Sequence, residues 1–254
     1  MTRAQLMGRY LDRLGVSRRR DPTPSWGTLC DLVDAHLRAV PFENLDIVAG
    51  LRSGLTSSAA LQKIVMRRRG GFCYELNEAF GALLTHLGFR VRRIEARVWL
   101  EEQRKFGPPY DHLALVVTLP EGEFLTDVGF GDNNRSPLRL PEDALEDISG
   151  RYTLAPKADG VWLLSRPDRP LYEMTLAAQP LTVFAPMYRY HQTSPQSVFA
   201  KGLICTRPTA GGRITLSRDR MVIVEGAHRT ETCVADRDSV LEQYFGIVNE
   251  GVTC

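Results

Sequence analysis

The chain has 254 residues, 43% apolar and 24% charged, with 21 glycines and 15 prolines. Such a composition excludes a disordered or low-complexity chain and supplies a sizeable core for one or two domains. A balance of 32 basic against 30 acidic residues leaves +2, so no global charge is directed at nucleic acid or a membrane surface, and no stretch reaches the ~18 apolar residues of a spanning helix.

Met1 to Tyr10 lacks the apolar core of a signal peptide, so a cytoplasmic protein is expected. The first ninety residues read as helical. Between Trp26 and Val40, the residues Leu29, Leu32, Val33, His36, Leu37 and Val40 recur at the spacing of one helix face, and Pro41 ends the run. Thr56, Ser57 and Ser58 are good N-cap residues for a second helix running toward Arg69. After Gly70 and Gly71 a third helix is predicted from Cys73 to Leu87, with Gly88 in the position of a terminating glycine. From residue 90 the period changes to two. Val91 to Leu100, His112 to Leu119 and Phe124 to Phe130 read as strands, followed by shorter ones near 151–155, 161–165 and 171–176. Residues 180–200, rich in proline, aromatics and hydroxyls, read as a connecting segment. Residues 203–205, 213–216 and 221–225 are strand-like, and Asp238 to Phe245 reads as a short helix. Helices followed by strands argue for an α+β chain with segregated layers rather than alternating βαβ units.

Five cysteines, Cys30, Cys73, Cys205, Cys233 and Cys254, are odd in number and widely spaced, so neither a disulfide framework nor a metal site is expected. Cys73 differs from the others. It follows two glycines and opens a helix, whose N-terminal partial charge favours thiolate and whose free amides can hold an oxyanion. The glycines allow a sharp turn and close approach of a substrate. The alternative is a buried structural cysteine on the apolar stripe.

A thiolate nucleophile needs a base, and the base an orienting group. His86 lies thirteen residues along the same helix, ~20 Å away. His36, on the apolar face of its helix, reads as a satisfied core histidine. His228 lies in a polar run and reads as solvated. His191, near hydroxyls, is either structural or substrate-facing. His112 opens a strand, and the chain returns after Pro120-Glu-Gly-Glu123 as Phe124-Leu-Thr-Asp-Val128. With Glu121-Gly122 as the turn, Asp127 falls opposite Val116; with Pro120-Glu121, opposite Ala114. Both registers put its carboxylate on the His112 face, and only the second brings it within side-chain reach. A bulge at Gly122 would break that parity. Val128-Gly-Phe-Gly131 then suits either close backbone approach to a ligand or an ordinary glycine turn. Arg67 to Arg69 reads as a solvated face.

Together, Pro41-Phe-Glu-Asn-Leu45, Arg69-Gly-Gly-Phe-Cys-Tyr-Glu-Leu-Asn77, His112, Asp127-Val-Gly-Phe-Gly131, Ser194-Pro-Gln-Ser-Val-Phe199 and Gly212-Arg-Ile-Thr-Leu216 resemble the arylamine N-acetyltransferase family, in its order and over most of the chain. The resemblance implies a helical bundle over 1–89, a β-barrel over 90–190 and an α/β lid over 191–254, with a cysteine-protease-like core. It implies a Cys73, His112 and Asp127 triad that carries an acetyl group from acetyl-CoA to an arylamine or hydrazine through an acyl-cysteine. No bound cofactor and no metal are expected; acetyl-CoA is a co-substrate. By the same resemblance Phe130 and Gly131 line the CoA and acceptor cleft. Phe42, Val98 and Phe199 wall the acceptor, and Glu43 pairs with Arg69 to hold the cysteine loop. The polar run Asp132-Asn-Asn-Arg-Ser-Pro137 departs from the small residues of many members and leaves donor and acceptor preference open.

Two other readings compete. An amide synthase on the same scaffold would take a polyketide from an acyl carrier protein and close it on its own aryl amine. A cysteine hydrolase or transglutaminase-like enzyme shares the Cys, His, Asp order, but not the Asp-Val-Gly-Phe-Gly block.

Overall fold

The structure, a computed structural model, describes residues 1–16, 23–132 and 134–248. Cys254 lies outside these residues. Helix α1 (Arg3–Leu14) opens on a reciprocal cap: Thr2 Oγ1 accepts from Gln5 N at 3.2 Å, and Gln5 Oε1 accepts from Thr2 N at 2.9 Å. Helix α2 (Trp26–Ala39) buries Leu29, Leu32, Val33, His36 and Leu37, the expected face. Strand β1 (Phe42–Glu43) and the short α3 (Leu45–Val48) follow. Helix α4 (Ser57–Leu61) is capped by Thr56 and runs into a π-helical turn, Gln62–Met66. Helix α5 (Cys73–His86) is buried along most of its length and ends before Gly88, at φ +89°.

The barrel is built from β2 (Arg90–Leu100), β3 (Lys105–Phe106), β4 (His112–Leu119), β5 (Gly122–Thr126), β6 (Leu138–Arg139), β7 (Asp143–Asp147), β8 (Gly150–Pro156), β9 (Val161–Ser165) and β10 (Pro170–Thr175). Its order is β6-β5-β4-β2-β10-β9-β8-β7, with β3 on β2, so the terminal strands β6 and β7 are consecutive in the chain and the sheet nearly closes. Strand β4 is apolar on both faces for a reason. Leu113, Leu115 and Val117 pack into the core shared with α5, while Ala114 and Val116 join Ile94, Leu125 and Tyr152 inside the barrel. The chain is α+β, as expected.

The pairs Leu119↔Gly122 and Leu115↔Thr126 make Pro120-Glu121 the turn, with Gly122 at φ +138°. This is the second of the two registers. The strand expected to run to Phe130 stops at Thr126, which frees Asp127 to Phe130 from the ladder.

The segment 180–200 is not a plain connection. After a 3-10 turn at Leu181–Phe184 it forms α6 (Ala185–Thr193), with Pro186 in its first turn, where a missing N–H costs nothing, and Tyr188 and His191 on its buried side. Strands β11 (Ile204–Pro208), β12 (Gly212–Ser217), β13 (Arg220–Glu225) and β14 (His228–Cys233) form a second antiparallel sheet against which α7 (Arg237–Phe245) packs. Strand β1 is its other edge, pairing Phe42↔Thr206 and Glu43↔Cys205, so the helical region supplies a strand to the C-terminal sheet. The polar run around His228 is the exposed edge strand β14. No helix among the described residues is long and apolar enough to cross a membrane.

Candidate active site

Cys73 is the first residue of α5 and is 3% exposed. The glycines before it serve neighbouring chain rather than a substrate. A Cβ on Gly70 would fall 2.1 Å from the Pro41 carbonyl oxygen, and one on Gly71 would fall 2.6 Å from Glu75 Oε2. Glu75, in the first turn, accepts from Phe72 N at 3.2 Å and so caps the helix that presents the thiol.

His112 opens β4, and its Nε2 stands 2.7 Å from Asp127 Oδ2. The imidazole is also hydrogen-bonded to the Cys73 thiol, and the Leu113 N–H hydrogen-bonds the sulfur. The structure therefore brings Cys73, His112 and Asp127 into one chain. Burial pushes the Cys73 thiol up, opposed by the hydrogen bond and charge of His112. The helix end alone thus does not yield a free thiolate. Burial pulls His112 down, but the Asp127 carboxylate and Cys73 more than offset it, and the imidazole rises to about 10. Asp127 is pushed up by burial and pulled further down by His112, Asn77 and the Gly129 amide. Thiol and imidazole are therefore coupled, and the proton between them belongs to the pair rather than to either group.

Residues to which the sequence reading gave no role hold this chain in place. Asn77, one turn beyond Cys73, donates from Nδ2 to Asp127 Oδ1 at 2.8 Å and to Leu113 O at 2.7 Å, and its Oδ1 accepts from Val128 N at 3.0 Å. One side chain ties the nucleophile's helix to the strands of base and acid. Gly129 lies against that helix: a Cβ would fall 2.7 Å from Cys73 Cα. The buried Tyr74 hydroxyl donates to the carbonyls of Tyr110 at 2.7 Å and Asp111 at 3.0 Å, bracing the backbone just before His112. Asn77 at four residues after Cys73 was the one readable signal.

The expected walls divide into two groups. Phe130 meets the His112 ring edge-on at 5.6 Å and Tyr172 at 5.1 Å. Gly131, at φ +87°, lies under the Phe42 ring. Phe42 and Phe199 have ring centroids 6.0 Å apart, and Phe199 also touches Phe72. Val98 on β2 shares the face of Ala96, which opposes His112, and pairs with Tyr172. All four of Phe42, Val98, Phe130 and Phe199 are half-buried.

On the other side of the α5 N-terminus, Lys63 Nζ lies 2.9 Å from Glu75 and 3.0 Å from Asp46, and Arg69 lies 3.0 Å from both Glu43 and Asp46. The expected Glu43–Arg69 pair is part of this larger cluster. Of the run expected to form a solvated face, Arg67 and Arg68 are exposed, whereas the carboxylates of Glu43 and Asp46 draw Arg69 inward. Burial pulls Lys63 down, but the carboxylates of Glu43, Glu75 and Asp46 more than offset it and raise it. His36 is buried as expected but not satisfied: neither ring nitrogen has a hydrogen-bond partner. No group of three potential ligands is placed to hold a metal among the described residues.

A buried thiol presented by a helix to a histidine and an aspartate from a following barrel has the geometry of a cysteine-nucleophile enzyme. The N-acetyltransferase family model matches residues 25–252. The arylamine N-acetyltransferase of Mycobacterium tuberculosis is 36% identical over 250 residues, 94% of this chain and 88% of its own. Among solved structures, the Mycobacterium marinum arylamine N-acetyltransferase in complex with CoA has a TM-score of 0.86 at 31% identity, over 95% of this chain and 92% of that one. The enzyme of Salmonella typhimurium has a TM-score of 0.90 at 30% identity, over 100% and 96%. The chain belongs to the N-acetyltransferase family.

Proposed function

We propose that this protein is an arylamine N-acetyltransferase that moves an acetyl group from acetyl-CoA to an arylamine or hydrazine nitrogen, with Cys73, His112 and Asp127 as its catalytic residues. The hydrogen-bonded run from the Cys73 sulfur through the His112 ring to the Asp127 carboxylate carries this reading. In the first half-reaction the Cys73 proton passes to His112, and the thiolate attacks the thioester carbonyl. CoA leaves as a thiol, taking the proton from His112. In the second, the amine attacks the acetyl-cysteine, gives its proton through His112, and displaces the Cys73 sulfur. Asp127 orients the ring and stabilises the imidazolium in both. Sulfur suits the exchange because it is both nucleophile and leaving group.

Phe130 and Gly131 border the donor, and Phe42, Val98 and Phe199 the aryl acceptor. The cytoplasm, where thiols stay reduced, suits this chemistry. A donor held on a carrier protein's phosphopantetheine arm would present the same thioester.

Intact mass after mixing with acetyl-CoA alone tests the assignment. One added acetyl group, absent in Cys73→Ala and discharged by an arylamine, is expected. No adduct with acetyl-CoA but one with a carrier-bound thioester would reassign the donor, and no adduct with either would overturn the reading.

A further inference from the structure

A second histidine stands beside the site with a hydrogen-bond chain of its own. His191, on the buried side of α6, places Nε2 at 3.2 Å from Asp111 Oδ1 and Nδ1 at 3.1 Å from Ser197 Oγ. A carboxylate only accepts, so Nε2 carries a proton toward Asp111, and in the neutral ring Nδ1 then accepts from the Ser197 hydroxyl. Ser197 Oγ in turn accepts from Phe199 N at 3.2 Å. Every hydrogen bond in this run has a consistent direction, from the Phe199 amide through serine and imidazole to the carboxylate.

The residue types are those of a serine hydrolase, but the geometry argues against one. The Ser197 oxygen accepts from the Phe199 amide and caps the 3-10 turn that follows, so it serves as a cap. What the run does is join two places that matter to the reaction. At one end is Asp111, immediately before His112. Its carboxylate is packed so closely on Gly107 that a Cβ there would fall 2.4 Å from Oδ2. The backbone on its N-terminal side is at Tyr110, with φ +62°, held by Tyr74 and by Glu95 Oε2 at 3.2 Å from Tyr110 N. At the other end is the 3-10 turn Val198–Ala200, which carries Phe199. The His191 ring also meets the Phe199 ring edge-on, with centroids 5.0 Å apart. Phe199 is thus fixed by its amide through Ser197, by its ring through His191, and by its carbonyl, which accepts from Asn44 Nδ2 at 2.9 Å.

We propose that His191, bridging Asp111 and Ser197, is a positioning residue that sets where the Phe199 ring stands relative to the Cys73–His112 pair, and so governs selection of aryl acceptors. This inference rests on the acyl-cysteine reaction proposed above. It separates the two half-reactions: the donor step depends on Cys73, His112 and Asp127, while the acceptor step also depends on the wall that His191 holds. Acceptors with a ring use that wall, and hydrazine, which has none, does not.

The test uses the full chain as wild type, His191→Leu and His191→Gln, with folding checked by thermal melting. Two quantities are measured: the burst of CoA released by acetyl-CoA alone, and the steady-state KM for hydrazine, a substituted aniline and an aminonaphthalene. In His191→Leu the KM for the two aryl acceptors is expected to rise by about tenfold, the scale of one well-placed aromatic contact. The KM for hydrazine and the burst amplitude should change by less than about twofold, within the same reasoning. Gln can donate to Asp111 and accept from Ser197, so His191→Gln should recover most of the aryl KM. An equal loss for hydrazine and aryl acceptors, unchanged aryl KM in a folded variant, or loss of the burst with the acceptor step would overturn the proposal. A variant that does not fold moves the decision to His191→Gln, whose aryl KM must stay closer to wild type than that of Asp111→Leu. Absence of a burst in the wild type with acetyl-CoA would instead count against that donor, and absence with a carrier-bound thioester as well would refute the reaction itself.

Discussion

Two fully buried histidines pack about two turns apart along α5, and their pKa values move in opposite directions. At the seam between α5 and the barrel, His112 has Asp127 on one nitrogen and is hydrogen-bonded to Cys73, and its pKa rises to about 10. In the core among α1, α2 and α5, His36 lies between Tyr10 and Phe80, with ring centroids 5.9 and 4.9 Å away and no hydrogen bond on either nitrogen. Burial, with the Arg13 guanidinium adding to it, pulls His36 down to about 3. Desolvation opposes the charged ring in both places. The sign of the outcome is decided by whether a carboxylate and a thiol are delivered to the ring. The seam spends polar groups on holding a proton where chemistry needs it; the bundle core keeps a neutral ring as filler.

The strongest way to break this contrast is to remove the partner at the seam. Asp127→Asn is expected to cut kcat/KM by about a thousandfold or more, because an amide neither stabilises imidazolium nor fixes the same tautomer. It should also bring His112 down from about 10, so the alkaline limb of the pH–rate profile moves to lower pH. An Asp127→Asn enzyme with unchanged rate and profile would show that burial and Cys73 alone set the ring's behaviour. Next in size is the cluster behind the cysteine loop. Lys63→Met leaves Glu75 and Asp46 without the cation 2.9–3.0 Å away, and loss of about 3–5 kcal/mol of stability is expected for breaking a buried pair from one side. Thermal melting measures it, and a shift of less than a few degrees would mean that the carboxylates find other compensation.

How much of this could be read from the residues follows from how far each contact reaches along the chain. The cysteine helix was legible because its signals are local: two glycines before it, an apolar stripe and Gly88 after it. The His112–Asp127 pair was half legible. Parity alone put both side chains on one face, but the choice between turns depends on Gly122 taking φ +138°, which the residue types permit without requiring. Of the clamp made by Asn77 only its place one turn beyond Cys73 was legible, since its partners Leu113 and Asp127 lie 36 and 50 residues away. The Asp111–His191 contact spans 80 residues and runs through a helix hidden in a segment whose prolines and hydroxyls suggested a connection. The capping box of α1 is as local as the signals of the cysteine helix, since Thr2 and Gln5 stand three residues apart. The expectation that His36 is satisfied failed because residue type and periodicity locate a side chain without locating its partners.

The smallest expected effect sharpens the contrast from the other side. A histidine whose folded pKa is depressed from 6.5 to about 3 contributes stability that is present above about 6.5 and is lost as pH falls through that interval toward 3. His112 has the opposite sign: its raised pKa contributes stability below about 6.5 that is lost as pH rises through 10. Replacing His36 by Leu should therefore flatten the acid limb of the stability curve between about pH 6 and 4 and leave the alkaline limb unchanged. At neutral pH the variant should gain about 1 kcal/mol or slightly more, because two unsatisfied ring nitrogens leave the core while an apolar side chain keeps the contact with Phe80. Urea unfolding of wild type and His36→Leu at pH 4, 5, 6 and 7 reads both quantities. Parallel curves would mean that this ring finds a partner after all and that the difference between the two histidines is not one of satisfaction.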